Sequence, residues 1–193
     1  MSLAFKDDGH LYEIIHGKIY NMAQPHSGHI ITGGNVSSIF RNFLKGKKCK
    51  VFPDGMRLVL KNEDVNLRPD VMIVCNRDII KDNGIHGVPD LIVEVLSPST
   101  AKNDRNFKKN LYEKIGVKEY WLISPVEKFI EVYLLKDGKY ELDNIYYHEI
   151  SQWMLDDMSE EELAEVKREF KISLEGFDDL IIDVDDVFDD IDI

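Results

Sequence analysis

Residues 68–74 read RPDVMIV and residues 89–100 read PDLIVEVLSPST, and these two stretches decide the fold. Each places a short, nearly all-apolar run after a Pro-Asp pair, which is the pattern of a β-strand covered on both faces. Asp70 opens the first run and Glu94 interrupts the second. A carboxylate in so apolar a strand is costly unless it is paired, protonated or bound to metal.

Around these two runs the pattern predicts strands, then a helix, then strands again. The predicted strands are 11–20 (two strands around a turn at 16–17), 50–52, 56–60, 71–74, 91–96, 119–123, 129–135 and 139–142. The predicted helices are the late part of 27–44, then 103–114, and 159–170 with a capping box of Ser159 and Glu162. Residues 180–187 fit a strand or a loop. The order predicts an α/β (α+β) fold with a central mixed β-sheet flanked by helices.

The charge is divided unevenly along the chain. Residues 149–193 contain 17 acids and three bases, a net charge of −14, whereas residues 1–148 contain 19 acids and 21 bases, a net charge of +2. The whole-chain value of −12, which by itself argues against a nucleic-acid partner, describes neither part. We predict one domain over residues 1–148 and an acidic extension over 149–193 that packs on that domain or continues it. The extension could shield the body from nonspecific nucleic acid or simply aid solubility.

Two basic groups stand out in the body. They are Lys45, Lys47, Lys48 and Lys50, and Lys102, Arg105, Lys108 and Lys109. Each group fits either a solvated face or a surface that contacts phosphate.

The composition also bears on location. No apolar run approaches the roughly 20 residues of a membrane-spanning helix, and no signal segment opens the chain. Cys49 and Cys75 are too few for a disulfide scaffold, and their spacing matches no zinc pattern. We therefore expect a protein of the reducing cytoplasm with no membrane partner.

The two strand acids have a structural and a functional interpretation. One is an ion pair with an arginine such as Arg68, or an acid at a strand end that faces water. The other puts Asp70 and Glu94 side by side on adjacent strands, where they hold a hard divalent cation. Oxygen ligands of this kind suit Mg²⁺ or Mn²⁺, and such an ion can activate water toward a phosphodiester.

Several strings resemble the Uma-two family of restriction endonucleases, in the PD-(D/E)XK nuclease superfamily. They are RPDV at 68–71, PDLIVEVLSPST at 89–100, Asp104-Arg105, Lys108, Tyr112 and GVKEYWLI at 116–123. Upstream, Tyr12-Glu13 with Gly17, and His29, also resemble the opening of the family. The resemblance covers roughly residues 11–135 and is weaker near 173–177 and the end of the chain. It implies a restriction-endonuclease-like core and a Mg²⁺- or Mn²⁺-dependent endonuclease acting on DNA. A homodimer is a further option.

The resemblance also implies a set of site residues. Asp70 and Glu94 would ligate the metal, the Val95 carbonyl would be a third ligand, and Glu13 would be an additional acid from the N-terminal part. The superfamily pattern places a lysine two residues after the second acid, but this chain has Leu96 there. The role would then fall to Lys108 on the following helix, with Lys102 as the runner-up.

Other side chains are weaker candidates. Lys109 is expected in solvent because adjacent helix positions differ by about 100°. Tyr112 shares the face of Lys108 and could fix that lysine or pack, with packing favoured. His26 and His29 could be metal ligands but have no third partner nearby, so hydrogen-bonded or surface positions are favoured. The aromatic side chains that could stack on bases are expected in the core; they are Tyr120, Trp121 and Tyr133.

Three functions therefore compete. The first is a metal-dependent nuclease that uses Asp70, Glu94, Lys108 and Glu13. The second is a nucleic-acid-binding or metal-binding module that keeps the fold without useful catalysis, which the missing lysine at position 96 keeps open. The third is a glycosidase with Asp70 and Glu94 as acid and base.

Overall fold

The computed structural model describes residues 12–22 and 24–191. Its strands are β1 (Tyr12–Ile15), β2 (Lys18–Asn21), β3 (Lys50–Pro53), β4 (Leu58–Leu60), β5 (Val65–Leu67), β6 (Val71–Val74), β7 (Ile80–Lys81), β8 (Gly84–Ile85), β9 (Leu91–Val95), β10 (Glu119–Ser124), β11 (Phe129–Lys136), β12 (Lys139–Tyr147), β13 (Glu169–Lys171) and β14 (Ile181–Asp183). Its α-helices are α1 (Ser27–Phe43), α2 (Ala101–Asn103), α3 (Lys109–Ile115), α4 (Gln152–Asp157), α5 (Glu160–Glu165) and α6 (Val184–Phe188).

The central sheet has six strands in the order β12-β11-β10-β9-β6-β3. Strands β9 and β10 are parallel, and the other neighbours are antiparallel. The sheet is therefore mixed, as the sequence predicts. Its middle strands β6, β9 and β10 are buried at every residue because both faces are covered.

Different elements pack on the two faces of this sheet. Odd-numbered residues of the middle strands, such as Ile73 and Trp121, pack with α1 and the C-terminal segment. Even-numbered residues, such as Met72 and Ile92, pack with α3 and a second six-stranded sheet in the order β2-β1-β5-β4-β8-β7. The sequence pattern did not predict this second sheet, since its strands have two to four residues and carry little periodicity. The molecule thus has three layers, with the central sheet in the middle.

Residues 149–193 contribute to the same hydrophobic core as one face of the central sheet. Nine apolar side chains of this segment are buried together with the sheet: Phe170, Ile172, Leu174, Phe177, Leu180, Ile182, Val184, Val187 and Phe188. The predicted helix over 159–170 is too long: it ends at Glu165, and Phe170 lies in β13. Its capping box of Ser159 and Glu162 is present. The division into a domain over 1–148 and an extension stays a prediction.

The predicted helix over 103–114 begins earlier and is less regular. Helix α2 starts at Ala101, and a π-helical segment, Asp104–Lys108, links it to α3. Gly116 ends α3 in the left-handed conformation (φ 88°), as its position after the last apolar residue predicts. Local bulges of the π type recur at functional sites, and this one carries Lys108.

The two cysteines form a disulfide bond, which the sequence pattern did not predict. Cys49 precedes β3 and Cys75 follows β6, and because these strands are antiparallel neighbours the two residues face each other and form a disulfide. The sequence spacing alone did not reveal a partnership across 26 residues. Within the described ranges, no helix is long and apolar enough to cross a membrane.

Candidate active site

Asp70 and Glu94 lie side by side on one face of the central sheet. Val71 in β6 is opposite Val93 in β9, so the next antiparallel position places Asp70 beside Glu94. Both acids have even residue numbers, as Ile92 does. Their side chains therefore lie on the face of the central sheet that packs against α3 and the second sheet. Their exposed fractions are only 8% for Asp70 and 2% for Glu94.

Lys108 inserts its ammonium between carboxylates. Its Nζ atom is 3.1 Å from Glu94 Oε2 and 3.3 Å from Glu13 Oε1. Asp104, four residues earlier on the same helical segment, has Oδ1 at 3.2 Å from that ammonium. The lysine is 5% exposed, so the interpretation of Lys108 as a solvated helix residue is excluded.

Glu13 reaches the site from the second sheet. It lies on β1, and its Oε1 atom also accepts a hydrogen bond of 2.9 Å from the backbone N–H of Arg68. Arg68 does not form the ion pair with Glu94 considered above; its guanidinium donates to the Gly55 carbonyl at 2.6 Å. The carboxylate of Glu94 instead accepts hydrogen bonds from Lys108 and from the Tyr112 hydroxyl, the latter at 2.8 Å.

The electrostatics of the cluster are those of crowded, desolvated acids. Burial raises the pKa of Glu94 well above its usual value; Lys108 opposes this, and the charges of Asp104, Asp70 and Glu13 reinforce it. Burial by itself lowers the pKa of Lys108, but the surrounding carboxylates together raise it well above its usual value. The lysine therefore stays charged, and the acids compete for too little positive charge.

His29 and Val95 are the polar partners of the Asp70 carboxylate. The Val95 N–H donates to Asp70 Oδ2 at 2.6 Å, and His29 Nε2 is 3.5 Å from the same oxygen. Burial alone lowers the pKa of His29. Hydrogen bonding and charge from Asp70, the charge of Asp54 and a hydrogen bond to the Val95 backbone together raise that pKa. His29 is thus hydrogen-bonded, as favoured from the sequence, whereas His26 is exposed at the start of α1.

Two residues of the cluster escaped the sequence interpretation. In the sequence, Asp104 was noted only as a match to the family and as a residue near the start of the helix. Its spacing of four residues from Lys108 on a helix could have predicted that the two side chains meet. Its side chain is 1% exposed, and burial raises its pKa while Lys108 opposes the rise. Tyr112 was expected to pack, with fixing Lys108 as the alternative; its hydroxyl instead donates a hydrogen bond to Glu94.

The other candidates lie outside the cluster. Lys102 is exposed, and Lys109 places its ammonium 3.6 Å from the ring centroid of Tyr133 rather than in open solvent. Arg105 pairs with Glu131 at 2.5 Å. The second basic group of the sequence is therefore not one phosphate-contacting surface, because Lys108 turns inward. Tyr120 and Trp121 are fully buried, as expected for core aromatics.

The donor set suits a hard divalent cation, but the cluster is not a closed metal site. Within residues 12–22 and 24–191, no three His, Cys, Asp or Glu side chains meet in a metal-binding group. Lys108 stands between Glu13, Glu94 and Asp104 instead. The hydrogen-bond acceptors converging here are carboxylate oxygens, which Mg²⁺ and Mn²⁺ prefer.

The site thus combines two acids from neighbouring strands of a mixed sheet with a lysine from the next helix. A family model described as "Putative restriction endonuclease" matches residues 2–165, and this chain belongs to that family, Uma2. The family description supports a nuclease-like role. The predicted homodimer and the cytoplasmic location stay predictions.

Two relatives and one solved structure are also similar to this chain. Two uncharacterized proteins of Synechocystis sp., slr1290 and sll1609, are 31% identical over 127 residues and 32% identical over 114 residues. These matches cover 65% and 58% of this chain, and 67% and 64% of the relatives. A crystal structure described as a putative nuclease belonging to DUF820, from Anabaena variabilis, matches with a TM-score of 0.69 over 96% of this chain and 94% of that chain. At 19% sequence identity this likeness establishes the fold.

Proposed function

We propose that this protein is a metal-dependent endonuclease that hydrolyses phosphodiester bonds of DNA with Mg²⁺ or Mn²⁺. One observation carries the proposal: Glu13, Glu94 and Asp104 are buried against the ammonium of Lys108, and Asp70 is buried beside Glu94 on the neighbouring strand. Buried charge of one sign is costly unless a counter-charge accompanies it. A divalent cation would supply that charge, and family membership supports a nucleic-acid substrate.

The residues divide into three roles. Asp70, Glu94 and the Val95 carbonyl would hold the metal, which when bound polarises the phosphodiester and activates water. Lys108 would orient the attacking water and stabilise negative charge on the phosphate, work that suits an ammonium already held in place. Glu13 and Asp104 would keep the Lys108 side chain pointed at the reacting group.

The assay uses the full chain with supercoiled plasmid and with single-stranded DNA, in Mg²⁺ or Mn²⁺. We expect Asp70→Asn and Glu94→Gln to lower the cleavage rate by roughly 10²-fold or more, the scale of losing a preorganised electrostatic group. Asparagine can still accept the Val95 hydrogen bond, so Asp70→Asn should keep the fold. Lys109→Met is the matched control for Lys108→Met and should cleave at the wild-type rate.

One outcome of the same assay would contradict the proposed endonuclease activity. Equal cleavage, or equal lack of cleavage, by wild type and Asp70→Asn across these substrates would remove the support for the enzyme. A nucleic-acid-binding or metal-binding module without useful catalysis remains the second candidate, because Leu96 stands where the superfamily pattern has its lysine. Tight Mn²⁺ binding that is lost in Glu94→Ala, without cleavage, would support that module. A glycosidase is not favoured, because Lys108 and Tyr112 engage both oxygens of Glu94.

A further inference from the structure

Two arginines face each other at the border of the acidic cluster. Strands β4 and β5 are antiparallel with Leu58 opposite Leu67, so the next residues outward, Arg57 and Arg68, are cross-strand neighbours. Like charges at directly opposed positions destabilise a sheet. The fold therefore keeps an unfavourable pair of guanidinium groups together.

Arg68 is also incompletely satisfied. Its side chain is buried, with 8% of the residue exposed, and its Nε–H has no hydrogen-bond partner in the part of the chain that the structure describes. Among these same residues, neither Arg57 nor Arg68 forms an ion pair with a carboxylate within 4.0 Å. A buried donor without an acceptor costs free energy, and a guanidinium has five donors to satisfy. An anionic ligand bound by the two guanidinium groups would offset their repulsion.

Tyr12 extends the arginine pair into a row. The antiparallel register of β1 and β5, with Ile14 opposite Asn66, places Tyr12 opposite Arg68. The Arg57 guanidinium carbon lies 5.8 Å from the centroid of the Tyr12 ring. Two guanidinium forks beside an aromatic ring match a phosphate and its neighbouring sugar or base.

The row adjoins the proposed catalytic residues. The backbone N–H of Arg68 binds Glu13, and Arg68 precedes Asp70 by two residues. Its guanidinium binds Gly55, next to Asp54, whose pKa is raised by burial and by the charge of Asp70. The acidic cluster would repel a polyanion, so cations at its border would offset that repulsion.

We infer that Arg57 and Arg68 bind a phosphate of the nucleic-acid backbone next to the phosphodiester that is cleaved, and that Tyr12 packs on the adjoining nucleotide. The inference deepens the proposed function by naming the surface that holds the substrate. It differs from the metal site because it needs no divalent ion.

The test measures binding of a short fluorescein-labelled DNA by anisotropy in EDTA, at several salt concentrations. Arg57→Gln and Arg68→Gln should each weaken binding by roughly tenfold at low salt and reduce the slope of log affinity against log salt by about one. Arg68→Lys should recover part of the affinity, because it keeps the charge but loses the two-pronged geometry. Arg41→Gln, at an exposed position of α1, removes the same charge elsewhere and should leave the slope unchanged.

The outcomes separate this inference from the nuclease proposal. DNA binding with the expected slope change but no cleavage in Mg²⁺ or Mn²⁺ would uphold the phosphate site while the proposed enzyme fails. An Arg57→Gln slope equal to that of Arg41→Gln, or no saturable binding by wild type, would overturn the inference. Stabilisation by inorganic phosphate that both variants lose, without any DNA binding, would overturn the assignment to a nucleic-acid backbone. If Arg68→Gln fails to fold, Arg57→Gln decides, because Arg57 is only half-buried.

Discussion

Lys108 shows how much one buried side chain can depend on its neighbours. Three carboxylates lie within 3.3 Å of its ammonium, from β1, β9 and its own helical segment. An ammonium buried to this degree is stable only because those charges compensate its lost hydration. The same ammonium separates the acids from one another, so its removal should be felt throughout the cluster.

We expect Lys108→Met to lower the free energy of unfolding by about 3–5 kcal/mol, because it leaves the three buried acids around the ammonium without their counter-charge. The measurement is urea unfolding near neutral pH. Lys109→Met, the adjacent lysine, loses only its contact with the Tyr133 ring and should cost less than about 1 kcal/mol. Losses of equal size in the two variants would contradict the buried charge network.

At the scale of elements, Glu119 connects the central sheet to the C-terminal segment. It is the first residue of β10, is fully buried, and accepts hydrogen bonds from Trp121 Nε1 at 2.7 Å and from the Ser173 N–H at 2.9 Å. Burial raises the pKa of Glu119 to about 7, although both hydrogen bonds oppose the rise. Since the folded pKa lies above the unfolded one, the protonated acid stabilises the fold.

This contribution should be complete below about pH 4.5 and should be lost as the pH rises through about 7. The loss amounts to at most about 3 kcal/mol, at 1.36 kcal/mol for each pKa unit. Glu119→Gln, which is neutral at every pH, should abolish this part of the dependence. The check compares urea-unfolding free energies of wild type and variant at about pH 4.5 and about pH 8. Parallel curves would show that Glu119 does not titrate in this range.

The helix that carries Lys108 shows where local patterns stop being sufficient. The sequence predicts its face and its end at Gly116, because helical spacing and a left-handed glycine are local properties. The π-helical segment Asp104–Lys108 is not predicted by spacing. It forms in contact with other elements: the Tyr120 hydroxyl, from β10, donates to the Asp104 carbonyl at 3.1 Å. Such an adjustment depends on the strand behind the helix.

At the scale of the whole molecule, residues 149–193, with their net charge of −14, consist of two parts that differ in burial. Residues 151–166, which contain α4 and α5, have no buried side chain. Residues 170–188 contribute the nine buried apolar side chains described above. Acidic composition therefore does not make the segment dispensable.

Truncation after His148 should abolish cooperative unfolding. Burial of one large apolar side chain stabilises by roughly 1.5–3 kcal/mol, so losing nine of them removes about as much free energy as the 5–15 kcal/mol that stabilises a typical domain, or more. Replacing residues 151–166 with a short Gly-Ser linker should change the free energy of unfolding by less than about 2 kcal/mol. Circular dichroism during heating and gel filtration would measure both. A stably folded 1–148 fragment would contradict this dependence and would favour an independent domain.

The sequence by itself determined the strands around Asp70 and Glu94, because their apolar runs are long enough to specify buried strands, and the resemblance to the Uma-two family followed from motifs in those runs. It also indicated Lys108 and Glu13 as partners. Tertiary structure alone decided that Asp104, His29 and Tyr112 join them, that Cys49 meets Cys75, and that Arg57 opposes Arg68. Periodicity reports which face of an element is buried, whereas these contacts depend on the register and packing of elements distant in the chain.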